Sequence, residues 1–521
     1  MSFPITVKWG KETLEFPYDP ATGVKGLKAE LQEKTHVPLD RMKIMAKSKG
    51  LWKGILKDDE KMEAIDWDGI HKKSKIQMLL MGSAAKLEGP STKTVFLEDL
   101  PPEEIAKVQE PSGLVNLGNT CYLNSVIQCL RVVTPLRAGL TQSAPAAQSG
   151  ASLLLGSLRD TYQRLDRQTE ALHPTALVQA TKLNFPQFAQ TGPRGEPMQQ
   201  DAEEFYSGLM TLLATETEGT DAIRRALTVD DPQDLLGAEN LIDALFGIRM
   251  QETFTCDESS QETPTVTFDL HRKLVCNIQG GSDASAQTNV SHIYEGIQLS
   301  LDGKIEKNAD SLGRDAVWTR SQRMARLPPY LAVQFGRFFW KATPDSADHA
   351  GVKCKVMKPV AFTGRLDVYD FCTQEIQDVL RAARKKALRA EEDAVNRKLA
   401  GEDAMEEDED LTRALAMSVE ADEPKIPIGP GLPEDFQGHY ELFAVVTHKG
   451  RNADGGHYMA WVKSDHKSAN VEKIADTDED NEDWFVFDDD EVSPCKTEDV
   501  LKLKGGGDWH MSYLNFYRAK K

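Results

Sequence analysis

One cysteine of this chain is set apart by its surroundings. In Gly113-Leu114-Val115-Asn116-Leu117-Gly118-Asn119-Thr120-Cys121-Tyr122-Leu123-Asn124, Cys121 follows a glycine-bearing turn, and apolar side chains at helical spacing continue to Leu130. That pattern predicts a helix with Cys121 in its first turn. A thiolate, not a thiol, is the nucleophile, and the unpaired N–H groups of a helix N-terminus favour the charged form. Far downstream, Gly455-Gly456-His457-Tyr458 supplies an imidazole, and Trp484-Phe485-Val486-Phe487-Asp488 supplies a carboxylate. A base takes the thiol proton and returns it to a departing amine, and a carboxylate fixes the tautomer of the base. Asn116, with the Cys121 backbone N–H, could bind the oxyanion of a tetrahedral intermediate. The chemistry so described is nucleophilic hydrolysis by cysteine. A cysteine buried for packing or an ordinary strand histidine would not need glycine-rich turns beside it.

The residues around these groups narrow the class. The cysteine stretch and Gly455 to Tyr458, followed by Phe487-Asp488-Asp489, closely resemble the boxes of the ubiquitin-specific proteases, papain-like cysteine deubiquitinases. Gln199-Gln200-Asp201-Ala202-Glu203-Glu204-Phe205 resembles a third box of that family. The resemblance runs from about Pro111 to about Arg518. It implies Cys121 as nucleophile, His457 as base, Asp488 as third member and Asn116 as oxyanion donor. It also implies Gln199, Asp201, Phe338, Gly455, Gly456 and Tyr458 as substrate-binding residues, with no cofactor. The implied fold is α+β, with helical thumb, mixed palm and β-rich fingers.

Length and composition set outer limits. A chain of 521 residues exceeds one ordinary domain. No run of eighteen apolar residues occurs, and no basic segment with an apolar core follows Met1, so neither a membrane span nor secretion is expected. Seven scattered cysteines fit a reducing compartment, cytosol or nucleus. The net charge is −20, of which residues 1–82 contribute +3 (fifteen Lys/Arg against twelve Asp/Glu). The acidic remainder argues against nonspecific nucleic-acid binding and weakly favours a cationic partner.

Two smaller elements flank the catalytic stretch. Ile5 to Trp9 and Lys11 to Phe16 alternate about Gly10, Val24, Leu27 and Leu31 share a helical face, and Lys43–Met45 and Lys75–Leu80 follow as strands. This ββαββ order predicts a β-grasp domain over 1–82, which resembles ubiquitin and integral ubiquitin-like domains. It lacks a terminal diglycine, so it reads as a permanent recognition domain. Residues 83–110, with Pro101-Pro102, form an expected flexible linker, and 111–521 the catalytic domain. With Gly505-Gly506-Gly507-Asp508-Trp509-His510, the N-terminal domain resembles the proteasome-associated branch, which implies docking on the 26S regulatory particle. Action on ubiquitin and polyubiquitinated proteins in cytoplasm and nucleus then follows. A hydrolase for another ubiquitin-like modifier, or a mainly non-catalytic proteasome regulator, are the alternatives. His510 is a rival base whose surroundings fit a structural turn better.

Two further segments carry expectations. Many family members hold zinc in the fingers with paired Cys-x-x-Cys motifs, but Phe254 to Leu301 offers only Cys256 and Cys276, twenty residues apart, so no metal is expected. Phe338-Phe339-Trp340 reads either as a cluster over the substrate channel or as a core strand with a bulky turn. Leu380 to Pro433 interrupts the domain as a charged, mainly solvated insertion, with seven acids among residues 402–410. Within it, Leu411, Ala414, Leu415 and Ser418 share a helical face that resembles a ubiquitin-interacting motif, although Ala421 stands where an acid is usual. A plain charged insertion is the competing reading.

Overall fold

The computed structural model describes residues 2–10, 12–82, 111–142, 150–168, 170–227, 229, 231–279, 289–341, 352–400, 427–451, 455–464, 483–507 and 509–520. The chain divides into two compact units, 1–100 and 101–521. The expected motif at Leu411, Ala414, Leu415 and Ser418 and the expected linker at 83–110 lie outside the described residues.

In the first unit, β1 (Phe3–Trp9) and β2 (Glu12–Tyr18) form an antiparallel hairpin about Gly10, whose φ of +58° suits glycine. Helix α1 (Gly23–Thr35) buries Val24, Leu27 and Leu31, the face given by its spacing. Strands β3 (Lys43–Ala46) and β4 (Ile76–Met81) complete a sheet of order β2-β1-β4-β3, with β4 parallel to β1. This is a β-grasp order. A short helix, α2 (Trp67–Lys73), stands before β4 and was not expected from sequence. It buries Trp67 and Ile70 beneath a cap from the Asp66 side chain to the Gly69 N–H, too few apolar positions to show a period.

The second unit has a thumb, palm and fingers. The thumb begins with α3 (Cys121–Arg131) and continues through α4 (Thr134–Gln142), α5 (Gly150–Leu165), α6 (Thr175–Asn184), α7 (Ala202–Glu216), α8 (Thr220–Leu227) and α9 (Leu241–Phe246). The fingers are a sheet of β5 (Ile248–Cys256), β6 (Thr265–His271), β8 (Asp302–Ala309) and β9 (Arg314–Arg326), in the order β6-β5-β9-β8. Strand β7 (Leu274–Cys276) and helix α10 (Ile293–Leu301) interrupt them. The palm sheet runs β17-β16-β15-β14-β18-β10-β7, with β13 (Arg365–Asp367) beside β14. Its members are β10 (Tyr330–Phe335), β14 (His439–Lys449), β15 (His457–Lys463), β16 (Asp483–Asp488), β17 (Glu491–Lys496) and β18 (Met511–Ala519). A separate hairpin, β11 (Phe338–Lys341) with β12 (Val352–Lys355), and helices α11 (Gln374–Ala400) and α12 (Thr497–Leu501) complete the described elements.

Helix α3 is buried on every side from Cys121 to Leu130 and packs against β15. An all-round buried helix is a rigid support, because every displacement disturbs close packing. The expected insertion begins at Leu380, in the core, and α11 turns outward from Arg381. By Ile428 the chain is buried again, with the Leu327 N–H donating to the Ile428 carbonyl. The charged segment is therefore shorter than 380–433, since apolar Ile428 and Leu432 pack with the palm.

Candidate active site

The turn before α3 is held by one side chain. Asn116 Oδ1 accepts the N–H groups of Gly118 and Thr120 at 3.0 and 3.1 Å, while Thr120 Oγ1 accepts the Leu117 N–H. Gly118 and Asn119 take φ of +97° and +53°, which glycine and asparagine tolerate better than other residues. Asn119 donates to the Pro197 carbonyl and accepts from Gln199 Nε2, each within 2.9 Å. The chain thus reaches α3 with the Cys121 side chain directed into the site and only 1% of the residue exposed.

Below that turn lies a carboxylate that sequence reading overlooked. Asp489 Oδ2 accepts from Asn116 Nδ2 and Oδ1 accepts from Asn124 Nδ2, both at 2.8 Å, and the Asp489 carbonyl takes the Leu114 N–H. Burial raises its proton affinity above the ordinary carboxylate value, while the two amides oppose that rise. Asn116 accordingly spends one amide N–H on Asp489, and an amide has a second for another acceptor. The available signal for Asp489 was its place in the middle of the acidic run Asp488-Asp489-Asp490, with nothing to say which one turned inward.

His457 opens β15, and its Nε2 lies 2.5 Å from Asp488 Oδ1 and 3.9 Å from Asp489 Oδ2. Its proton affinity is pushed up to about 9, first by its hydrogen bond with Cys121 and also by Asp488, against the opposing effect of burial. Two neighbouring imidazoles behave oppositely. Burial is the leading cause that holds His448 down to about 3 and His510 down to about 4. His510 Nδ1 meets Thr447 Oγ1 at 3.1 Å in the palm interior, which makes it a packing histidine. Of these three rings, His457 is the one kept as an imidazolium at neutral pH. The Cys121 sulfur, this imidazolium and the Asp488 carboxylate can serve as a nucleophile with its proton carrier and an orienting group.

The other sequence-predicted residues fall into two sets. Gly455 is open, since a methyl group there would meet nothing within 4 Å. Gly456 is crowded: with φ of +140°, an added Cβ would lie 2.3 Å from the Lys449 carbonyl and 2.6 Å from the His448 ring. Phe338 is half-buried, edge-on to His448 and Tyr513. Asp201 caps α7 through the Glu203 N–H and accepts from Tyr513 Oη at 2.7 Å, so it joins thumb to palm. Tyr458 is buried, with its ring against those of His448 and Tyr513.

No cysteine pair marks a metal centre among the described residues. Cys256 packs with Trp318 in the fingers, whereas Cys276 belongs to the palm core. The one group of donors there close enough for a cation is His457, Asp488 and Asp489. An imidazolium and a carboxylate already engaged by two amides make a poor ligand set.

Residues 112–517 match the family described as ubiquitin carboxyl-terminal hydrolase. Ubiquitin carboxyl-terminal hydrolase 6 of Arabidopsis thaliana is 34% identical over 540 residues, covering 99% of this chain and 98% of that protein. Ubiquitin carboxyl-terminal hydrolase 14 of Caenorhabditis elegans is 30% identical over 534 residues, covering 99% and 93%. Among solved structures, the Ubp8-containing SAGA DUB module bound to monoubiquitin is similar with TM-score 0.49 and 18% identity, over 80% of this chain and 70% of that one.

Proposed function

Because the chain belongs to the ubiquitin carboxyl-terminal hydrolases and is a cysteine-type deubiquitinase, we propose that Cys121, His457 and Asp488 carry out its chemistry. The observation that carries this assignment is the 2.5 Å contact of His457 Nε2 with Asp488 Oδ1, with Cys121 as the first cause of the raised proton affinity of His457. Cys121 Sγ attacks the carbonyl carbon of the C-terminal glycine of ubiquitin, and the oxyanion is met by the Cys121 N–H and Asn116. His457 gives its proton to the departing lysine amine as the C–N bond breaks, leaving a thioester. A water molecule then attacks that thioester while the neutral His457 takes one of its protons, and the C–S bond breaks to release ubiquitin and restore the thiolate beside the imidazolium.

The proposed place of action is the proteasome, in cytoplasm and nucleus. Support comes from the β-grasp unit, from the similarity to the worm and plant proteins along the whole chain, and from the Gly505 to His510 stretch. Residues 1–82 would dock on the regulatory particle and raise the local concentration of enzyme near bound conjugates. Gln199, Asp201, Phe338, Gly455, Gly456 and Tyr458 would line or brace the path of the ubiquitin tail.

An electrophilic ubiquitin probe should label Cys121, and Cys121→Ala should abolish both labelling and turnover while remaining folded. Labelling by a different modifier in preference to ubiquitin would overturn the substrate assignment. Proteasomes stripped of their own deubiquitinase should raise the rate of the intact chain, and deletion of 1–82 should remove that increase. A deletion variant stimulated as strongly as the intact chain would refute proteasome docking through this unit.

A further inference from the structure

Beside the candidate active site, a single ammonium gathers three acceptors from the end of β14 and the residue that follows it. Lys355 ends β12, and its Nζ donates to His448 Nδ1 at 2.5 Å, to the His448 carbonyl at 3.1 Å and to the Gly450 carbonyl at 2.8 Å. An ammonium has three N–H groups and no lone pair, so all three are used and Nδ1 must be the accepting nitrogen of His448. The His448 ring lies where a Cβ of Gly456 would be, and Lys449 and His448 pair with His457 and Tyr458 across the β14–β15 turn. Phe338, on the partner strand of β12, meets the same His448 ring edge-on at 5.3 Å. One lysine therefore ties the β11–β12 hairpin to the backbone that leads into His457.

We propose that Lys355 is a positioning residue for the deubiquitinating reaction: it fixes the Gly450 end of the β14–β15 turn and, through the His448 ring, the backbone of Gly456, and thereby shapes the surface that receives the ubiquitin tail. The inference rests on the functional reading above. Gly455 presents open backbone on that surface, while Gly456 is immobilised from below.

The charges around Lys355 make this attachment sensitive to pH. Burial first, and the Arg337 guanidinium second, bring its proton affinity down to about 7. Arg337 is itself fully buried and donates to the carbonyls of Ser512, Val356, Lys358 and Lys504. Lys353 on the same strand faces Asp201 at 3.5 Å, Lys449 of β14 lies over Trp509, and His457 and His510 stand near the His448 ring. Above pH 7 the amine has two N–H groups for three acceptors. One bond is then lost, or His448 moves its proton to Nδ1 and donates to the amine.

The test is steady-state hydrolysis of a ubiquitin–fluorophore by the full chain between pH 6 and 9, alongside iodoacetamide alkylation of Cys121. Lys355→Met should raise KM about tenfold, the scale of a lost charged hydrogen bond, while kcat and the alkylation rate stay within about twofold of the wild type. Lys355→Arg, whose charge does not titrate here, should recover part of the loss and remove the rise of KM above pH 7. An unchanged KM in Lys355→Met, or an equal loss in alkylation, overturns the proposal. Should Lys355→Met not fold, persistence of the wild-type alkaline limb in Lys355→Arg overturns it instead. A wild-type chain that alkylates normally but hydrolyses no ubiquitin substrate would defeat the deubiquitinase reading. The His448 ring nitrogens, followed by imidazole 15N NMR through pH 7, would then still decide the attachment: a change at Nδ1, by a lost bond or a proton move, supports it, and an Nδ1 signal unchanged through pH 7 refutes it.

Discussion

The cysteine side and the histidine side of the site are built on different principles. Cys121 sits on a helix buried all round, behind a turn cross-linked by neutral amides to Asp489 and the Pro197–Gln199 segment. His457 begins a strand after glycines, its side chain 32% exposed, and its carboxylate partner Asp488 is 47% exposed. One side is fixed by packing and satisfied hydrogen bonds, which are lost all at once. The other is fixed by charge, which solvent and pH can adjust. A thioester mechanism has use for both, because the sulfur must stay in place while the imidazole gives and takes a proton in each turnover.

The largest test of this contrast compares one residue from each side. His457→Ala should lower kcat by about 10³, the scale of a lost acid–base group, with a change in Tm that disappears as pH rises through about 9. Asp489→Ala should do the reverse in kind, costing about 2–4 kcal/mol of stability by leaving the Asn116 and Asn124 amides unpaired in the interior. Thermal or urea unfolding of the two variants reads the difference. Equal stability of Asp489→Ala and wild type would mean that the cysteine turn is not held by this carboxylate.

Next in size is Gly456→Ala, which bears on the border between the two styles. The methyl group collides with the Lys449 carbonyl and the His448 ring at a φ unfavourable to alanine. We expect a loss of about 1–3 kcal/mol and roughly tenfold in kcat/KM. Gly455→Ala, which meets no atoms within 4 Å, should retain stability. If both changes were equally harmless, the turn would be as adjustable as the imidazole it carries.

What could be read from sequence follows the same division. Cys121 and His457 were legible because each is embedded in a local turn-to-element transition, and Asp488 because an alternating strand led up to it. Asp489 was not legible: its inward carboxylate depends on a φ of +53° that breaks the alternation after β16. Asp201 and Tyr458 looked like substrate residues from their boxes, yet one caps a helix and the other fills the thumb–palm junction. Lys355 meets a residue 93 positions away, a pairing with no local signature. In the first unit the same limit hid α2, whose two buried side chains give no measurable period. Local geometry is written in short patterns, whereas side-chain partners across the sheet are set by topology.

The finest test asks whether Asp488 helps to hold the charge of His457, as the charge-based side requires. His457 keeps its proton up to about 9, above the ordinary value near 6.5. The native protein therefore binds more protons than the unfolded chain between these values. Stability from this group is fully present below pH 6.5 and fades as pH rises through about 9. Cys121 is the first cause of the raised affinity and Asp488 a lesser one, partly screened by its exposure. Asp488→Asn should accordingly move the His457 titration downward without abolishing it, and flatten the fall in stability across that range. Imidazole NMR and urea unfolding at several pH values give both quantities. An unmoved titration would leave Cys121 as the carrier of the charge and reduce Asp488 to orienting the ring, so that even the adjustable side would take its electrostatics from the buried one.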